Sequence, residues 1–404
     1  MTPGALEGMK IVEYCNMVSG PYCSKLLADM GAEVLKIEPP LTGDDSRRRG
    51  PFPEDVPHQE KSGLFLYLNS NKKGLTLDPK KSEGKEIFKK LIEKTDVLIE
   101  DRPPGEMEEL ELDYQNLKAI NPGLIMLSIT PFGRSGPFKD YKAFQLNTVH
   151  VSGQGYMLPI PARDLDRPPV KVGGQSSGFD VGLVAVVALT AAYYWKIRTG
   201  RGQFIEMSKQ EALMSMQRVE SVTYANDRVV LTRGGGKVQR MPGGILPCKD
   251  GYIVIVTPEE HQWKALIQLI GDPDWAKEDW CRNPASRAEN SEKINEWIIE
   301  WTMNHTKEEI FRKGQALSCP IAPVNTAEDI CHSEQFKARK FFVDMEHPAL
   351  GRLPFPSSAS RFSKTPWRLR QAAPLLGEHN EAIYGRLLGF SREELAALEQ
   401  GGVI

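Results

Sequence analysis

The stretch from Gly8 to Glu38, GMKIVEYCNMVSGPYCSKLLADMGAEVLKIE, constrains the fold more than any other part of the chain. Its residue pattern predicts a strand at 10–14, a turn at Gly20-Pro21, a helix at 22–30 and a second strand at 33–37. A strand–helix–strand unit with connections this short opens a nucleotide-binding type of α/β domain.

The rest of the first half continues that alternation. A polar loop over 39–61 leads to the apolar run at 64–68, then to a predicted strand at 74–77. A helix follows over 82–94 with Ser82 as its N-cap. The runs at 97–99 and 124–129 do not alternate in polarity, which marks strands buried on both faces of a mostly parallel sheet. A long apolar helix is predicted over 178–198, closed by Gly200, with a strand at 204–207 behind it. The character changes near Asn226. Glycine-rich loops, an Asp250-Gly251 turn into a strand and Trp-, Glu- and Lys-rich helices predict a smaller domain over 226–320. The expected organisation is thus 1–225 for the first part of a large domain, 226–320 for the small one, and 321–404 for a return to the large domain and a closing helix.

Composition narrows the function classes. The chain has 404 residues and a formal net charge of −2, so it has no overall basic field to draw nucleic acid. The longest apolar run, 181–195, falls short of the roughly 18–20 residues that span a bilayer. No signal-peptide pattern opens the chain. The six cysteines have no CxxC spacing, so reduced thiols of a cytoplasmic protein are expected.

Several separated motifs carry a family resemblance: Ser19-Gly20-Pro21, the run from Leu27 to Glu38, Asn71-Lys72-Lys73, Leu77-Asp78, Asp96 to Glu100, Asn121 to Ile125, Phe132 to Pro137, and Thr199 to Gln203. In this order they resemble the class III CoA-transferases, the carnitine and formyl-CoA transferase type, over nearly the whole chain. The resemblance implies a Rossmann-like large domain with an inserted smaller domain, in two interlocked protomers. It also implies CoA thioesters as substrates, a carboxylic acid as acceptor, and no tightly bound cofactor. In that family an aspartate attacks the thioester and passes through an anhydride and an aspartyl-CoA thioester, a covalent role that only a carboxylate fills.

Carried across residue by residue, the resemblance fails at the ligand. The family aspartate lies one helical turn before a glycine upstream of the Thr-Gly-Arg-Gly-Gln motif. Here Gly182 fits that glycine and Gly178 fits the aspartate. Asp180 is a fallback, about 200° round a helix from the required direction. An arginine expected after Lys36-Ile37-Glu38 is Pro39, and a second cation falls within Glu106-Met107-Glu108-Glu109. An expected glutamine is Val18, and an expected acid is Gln145. Asn71, Lys72, Lys73, Arg102 and Lys142 remain to meet CoA. Within the family this pattern resembles the larger, aspartate-free subunit of heteromeric enzymes that move CoA between succinyl-CoA and benzylsuccinate, which implies a homologous catalytic partner. Two other readings stay open: a self-sufficient homodimer using Asp180, and a non-enzymatic CoA-binding assembly protein.

Four further features read more plainly. Gly174 to Gly178 matches G-x-S-x-G, but the prolines before it make a poor central strand, so a glycine–serine turn is expected. Gly234-Gly235-Gly236 reads as a mobile loop or a flap. His150 and His261 have no partner visible in sequence. Arg47-Arg48-Arg49 reads as a solvated loop.

Overall fold

The structure, a computed structural model, describes residues 3–160, 162, 164–234 and 241–404. The chain divides into two compact units: Met1–Gly234 with Lys340–Ile404, and Gly235–Arg339. The return to the large unit therefore comes at Lys340, later than the position 321 drawn from sequence.

The large unit is built on six parallel strands: β1 (Lys10–Tyr14), β2 (Glu33–Glu38), β3 (Lys72–Thr76), β4 (Val97–Glu100), β5 (Ile125–Thr130) and β6 (Phe204–Ser208), in the order β3-β2-β1-β4-β5-β6. This is the doubly wound order, and its topological switch point lies between β1 and β4. Every residue of β4 and β5 is buried, as expected for strands whose apolar runs do not alternate. The helices α1 (Ser19–Asp29), α2 (Gly63–Asn69) and α3 (Ser82–Ile92) fall between the first four strands, while α4 (Glu106–Glu109) and α5 (Tyr114–Ile120) bridge β4 to β5. The run at 64–68 that stood unassigned in sequence is α2, started by the Ser62 hydroxyl accepting from the Phe65 N–H. The first helix begins at Ser19, so the Gly-Pro pair sits inside its first turn. Gly20 is required there because a Cβ would collide with the Cys15 side chain.

Two helices finish the site-bearing part: α6 (Gln145–Val151) and α7 (Ser176–Thr199). The sequence suggested no segment able to span a bilayer. In the structure α7 has 24 residues, and its most apolar stretch of 18 has a mean hydropathy of 1.5, enough by length and composition. The same properties suit the core helix of an α/β layer. Val181, Ala185, Leu189 and Ala192, spaced at three and four residues, fill that role against α1 and the sheet. The opposite face leaves Leu183, Val187, Tyr194, Trp195 and Ile197 exposed. Phe88, Leu91, Met126 and Tyr384 cover the other side of the sheet. Tyr384 donates to the Thr76 carbonyl at 2.8 Å, so the C-terminal segment completes the large unit.

The second unit has a three-stranded antiparallel sheet, Gly243–Cys248, Gly251–Val256 and Ile321–Pro323, packed with its own helices around Ile253, Leu266 and Ile298.

Candidate functional site

The residues expected to meet CoA separate into two groups. Lys72 is wholly buried at the start of β3, and its ammonium donates to Glu13 Oε2 (2.8 Å), the Pro21 carbonyl (2.7 Å) and Asn69 Oδ1 (2.9 Å). Those contacts use all three donors, leaving none for a phosphate. Lys36 binds the other Glu13 oxygen and Asp44, each at 2.7 Å. Burial pushes Glu13 up, but the two lysines outweigh it and hold the carboxyl down at about 2. Burial lowers Lys72 to about 8 against the attraction of Glu13, with the Lys36 charge adding to the lowering. Asn71 is equally committed. Its amide donates to Asp29 and to the Arg368 carbonyl, and its oxygen accepts from the Arg370 and Gln371 N–H groups. Arg47, expected in a solvated loop, is buried against Glu38 and Glu60.

The second group is less committed to the interior. Lys73 is half-buried and pairs with Glu33 at 2.7 Å. Lys142 is exposed in the loop before α6. Arg102 follows β4 at the switch-point crevice, paired with Asp101 at 2.6 Å and lying 4.8 Å over the Tyr14 ring. Its Nε has no hydrogen-bond partner. Beside it Glu100 is buried, and burial, with the Asp101 charge adding to it, pushes its carboxyl up to about 7 against hydrogen bonds from Ser128 and the Arg102 N–H. Sequence reading passed over Glu100, since its position at a strand end carries no sign of how deeply it is buried.

Three positions singled out in the sequence converge. Val18, Gln145 and Gly178 come from three separate parts of the chain and all line one pocket of about 130 Å³ at the N-terminus of α7. Gly178 and Gly182 sit one turn apart where α7 crosses α1. A Cβ at 178 would lie 2.9 Å from Val18 Cβ and Cγ1, and one at 182 would lie 2.9 Å from the Ser19 carbonyl oxygen. Val18 thus occupies the room that a side chain at 178 would need. Asp180, the fallback, lies outside the pocket lining on the next turn. The lining also holds Ser177, whose hydroxyl is buried with no partner, and Gln145, whose amide nitrogen is in the same condition. Among the described residues, Lys209, just after β6, is the one charged residue in the lining. Neither Ser177 nor Lys209 stood out in sequence, because only the fold brings α6, α7 and the end of β6 together.

The G-x-S-x-G stretch is not a nucleophile elbow. No strand leads into it, and Ser176 is the first residue of α7. Of the glycine triplet, Gly235 and Gly236 lie outside the described residues. Among the described residues, no group of three or more His, Cys, Asp or Glu is placed to hold a metal. The six cysteines are free thiols.

Residues 6–380 match the profile of CoA-transferase family III. The chain belongs to that family. Family III enzymes move CoA between an acyl-CoA and a carboxylic acid. A formyl-CoA:oxalate CoA-transferase from Rhodopseudomonas palustris is 31% identical over 428 aligned positions, covering 99% of this chain and 97% of the relative. The alpha subunit of a succinyl-CoA–L-malate CoA-transferase from Chloroflexus aurantiacus is also 31% identical, covering 100% of this chain and 95% of its own length. Among solved structures, a CAIB/BAIF family protein from Brucella suis superposes with a TM-score of 0.85 at 29% identity, covering 96% of this chain and all of that one.

Proposed function

We propose that this chain is the aspartate-free subunit of a heteromeric family III CoA-transferase. Its homologous partner supplies the nucleophile, and CoA moves between an acyl-CoA such as succinyl-CoA and a carboxylic acid such as benzylsuccinate. The observation that carries this reading is the fit between Gly178 and Val18. Glycine stands where a carboxylate is needed, and a neighbouring side chain fills the space beside it. A simple loss of the aspartate would leave that space open.

Two further observations support it. One relative is itself named as the alpha subunit of a succinyl-CoA-dependent enzyme. The exposed apolar face of α7, with Val187 71% and Ile197 66% exposed, suits burial against an interlocked partner chain. In this reading Arg102, Lys73 and Lys142 are the cations left to meet CoA phosphates, and the chain scaffolds the assembly and lines part of its substrate channel.

The test is to assay CoA transfer by the chain alone and after co-expression with a homologue that carries aspartate at the place equivalent to Gly178. Activity only in the pair is the expected result. Full turnover by the lone chain, abolished by Asp180→Ala, would replace this proposal with the self-sufficient homodimer.

A further inference from the structure

Glu100 ends β4 at the switch-point crevice, and doubly wound sheets take their ligands outside the carboxyl ends of their strands. Its carboxyl is wholly buried and only half answered. Oε2 accepts from the Arg102 N–H at 2.7 Å, while Oε1 has no hydrogen-bond partner. The groups around it come from several elements. Tyr14 stands across from it on β1 and Ser128 on β5. Asp101 and Arg102 follow it in the chain and pair with each other. Arg134 comes from the loop after β5. Its Nη1 lies 3.7 Å from Glu100 Oε1 and 3.3 Å from the Ser128 hydroxyl. Its Nη2 holds Glu108 on α4, and its backbone N–H donates to Glu206 of β6. One guanidinium is thus shared between a buried carboxyl on the sheet and a carboxylate 50% exposed on α4. Three of the four residues of α4 are glutamates, and the other cation close to them is Lys80, 3.9 Å from Glu106. Burial raises the Glu100 carboxyl to about 7, so its charge changes between pH 6 and 8.5. The Tyr14 phenol, pushed up to about 12 chiefly by burial, stays neutral over that range.

We propose that Arg134 is a proton-controlled latch on α4, worked by Glu100. While Glu100 is neutral, the Arg134 charge serves Glu108 and holds α4 at the edge of the crevice. Ionisation releases the Glu100 proton to water and leaves a buried carboxylate facing Arg134 Nη1. Bringing Nη1 from 3.7 Å into hydrogen-bond range takes about 1 Å of travel. That travel draws the guanidinium inward from Glu108, and the new negative charge repels the α4 glutamates as well. The buried carboxylate competes better for the arginine than the half-exposed one, because water screens the outer pair. Above the Glu100 transition α4 therefore loosens, with the fully buried Met107 as its remaining tether. The latch needs neither CoA nor a partner chain, so it stands apart from the subunit reading.

The experiment is amide hydrogen exchange of the full-length chain at pH 6 and pH 8.5, read by mass spectrometry on peptides covering 105–112 and corrected for the intrinsic pH dependence of exchange. Protection of this segment should fall by about threefold or more from pH 6 to pH 8.5. Glu100→Gln, which fixes the neutral state, should keep the pH 6 protection at both values. Glu108→Gln, which removes the outer half of the latch, should already be loose at pH 6 and lose little more at pH 8.5. A purely structural role for Glu100 would instead leave the full pH response intact in Glu108→Gln. Circular dichroism verifies that each variant is folded. If Glu100→Gln does not fold, Glu108→Gln, at a half-exposed position, carries the same test. The proposal fails if the parent shows no change in protection between the two pH values. It also fails if the fall persists in folded Glu100→Gln, or if Glu108→Gln behaves as the parent does.

Discussion

Two regions of the large unit, both built around α1, treat polar groups in opposite ways. Beneath β1, β2 and β3, Glu13, Lys36, Lys72 and Asp44 bury two positive and two negative charges in short ion pairs. At the start of α7, the Ser177 hydroxyl and the Gln145 amide nitrogen are buried without a hydrogen-bond partner. The first region consists largely of residues in motifs shared with the family. The second holds Val18, Gln145 and Gly178, which line one pocket. The contrast separates what the motifs do. Lys36 and Lys72 hold the strands and α1 together, whereas the buried polar atoms at the start of α7 tie nothing together.

The largest effect expected from breaking this contrast is at Glu13. Glu13→Leu would leave two buried ammonium groups without the carboxylate they share, and should cost about 3–5 kcal/mol, read as a lower urea midpoint at pH 7. The acid limb sharpens the point. With Glu13 held at about 2 against an ordinary 4.5, its contribution is fully present above 4.5 and is lost as pH falls through 2. That corresponds to roughly 3 kcal/mol, and Glu13→Gln should flatten the slope. A stability of Glu13→Leu within 1 kcal/mol of the parent would show that the cluster is not what binds these strands.

Next in size is Gly178→Asp. With Val18 only 2.9 Å from the new Cβ, the single change should cost about 1–3 kcal/mol. Val18→Ala in the same chain should recover at least about half of it, and a double-mutant cycle measures the coupling. Additive costs would mean that Val18 does not guard the position.

Glu100 should act in the opposite sense to Glu13. Its carboxyl is raised to about 7, so the stability it contributes is present below 4.5 and lost as pH rises through 7. Glu100→Gln should therefore leave stability unchanged at pH 4 and raise it by about 1–2 kcal/mol at pH 8.5, checked by urea titration at both values. The smallest effect belongs to Lys73, whose pair with Glu33 is exposed on both sides. Lys73→Ala should shift stability by under about 0.5 kcal/mol. A larger loss would place Lys73 with Lys72 in the supporting cluster.

The fold was legible because its signals are local. The apolar runs at 10–14, 97–99 and 124–129 gave the buried parallel strands, and Gly200 gave the end of α7. The two lysines at 72 and 73 show where such reading stops. Neighbours on a strand point to opposite faces, and here one face is the interior and the other is water. Nothing in Asn-Lys-Lys says which. The length of α7 was underread for a similar reason, since its first turn, Ser176-Ser177-Gly178, is helical only through its fit against α1.

From the sequence alone came the Rossmann-like, mostly parallel α/β plan and the family, because each is written in short stretches of residue order. Only the tertiary structure revealed that Val18, Gln145 and Gly178 share one pocket, that Lys72 and Asn71 are committed to the interior, and that Ser177 is buried. Those facts depend on which distant segments touch. Burial and partnership are properties of the packed chain rather than of any window along it.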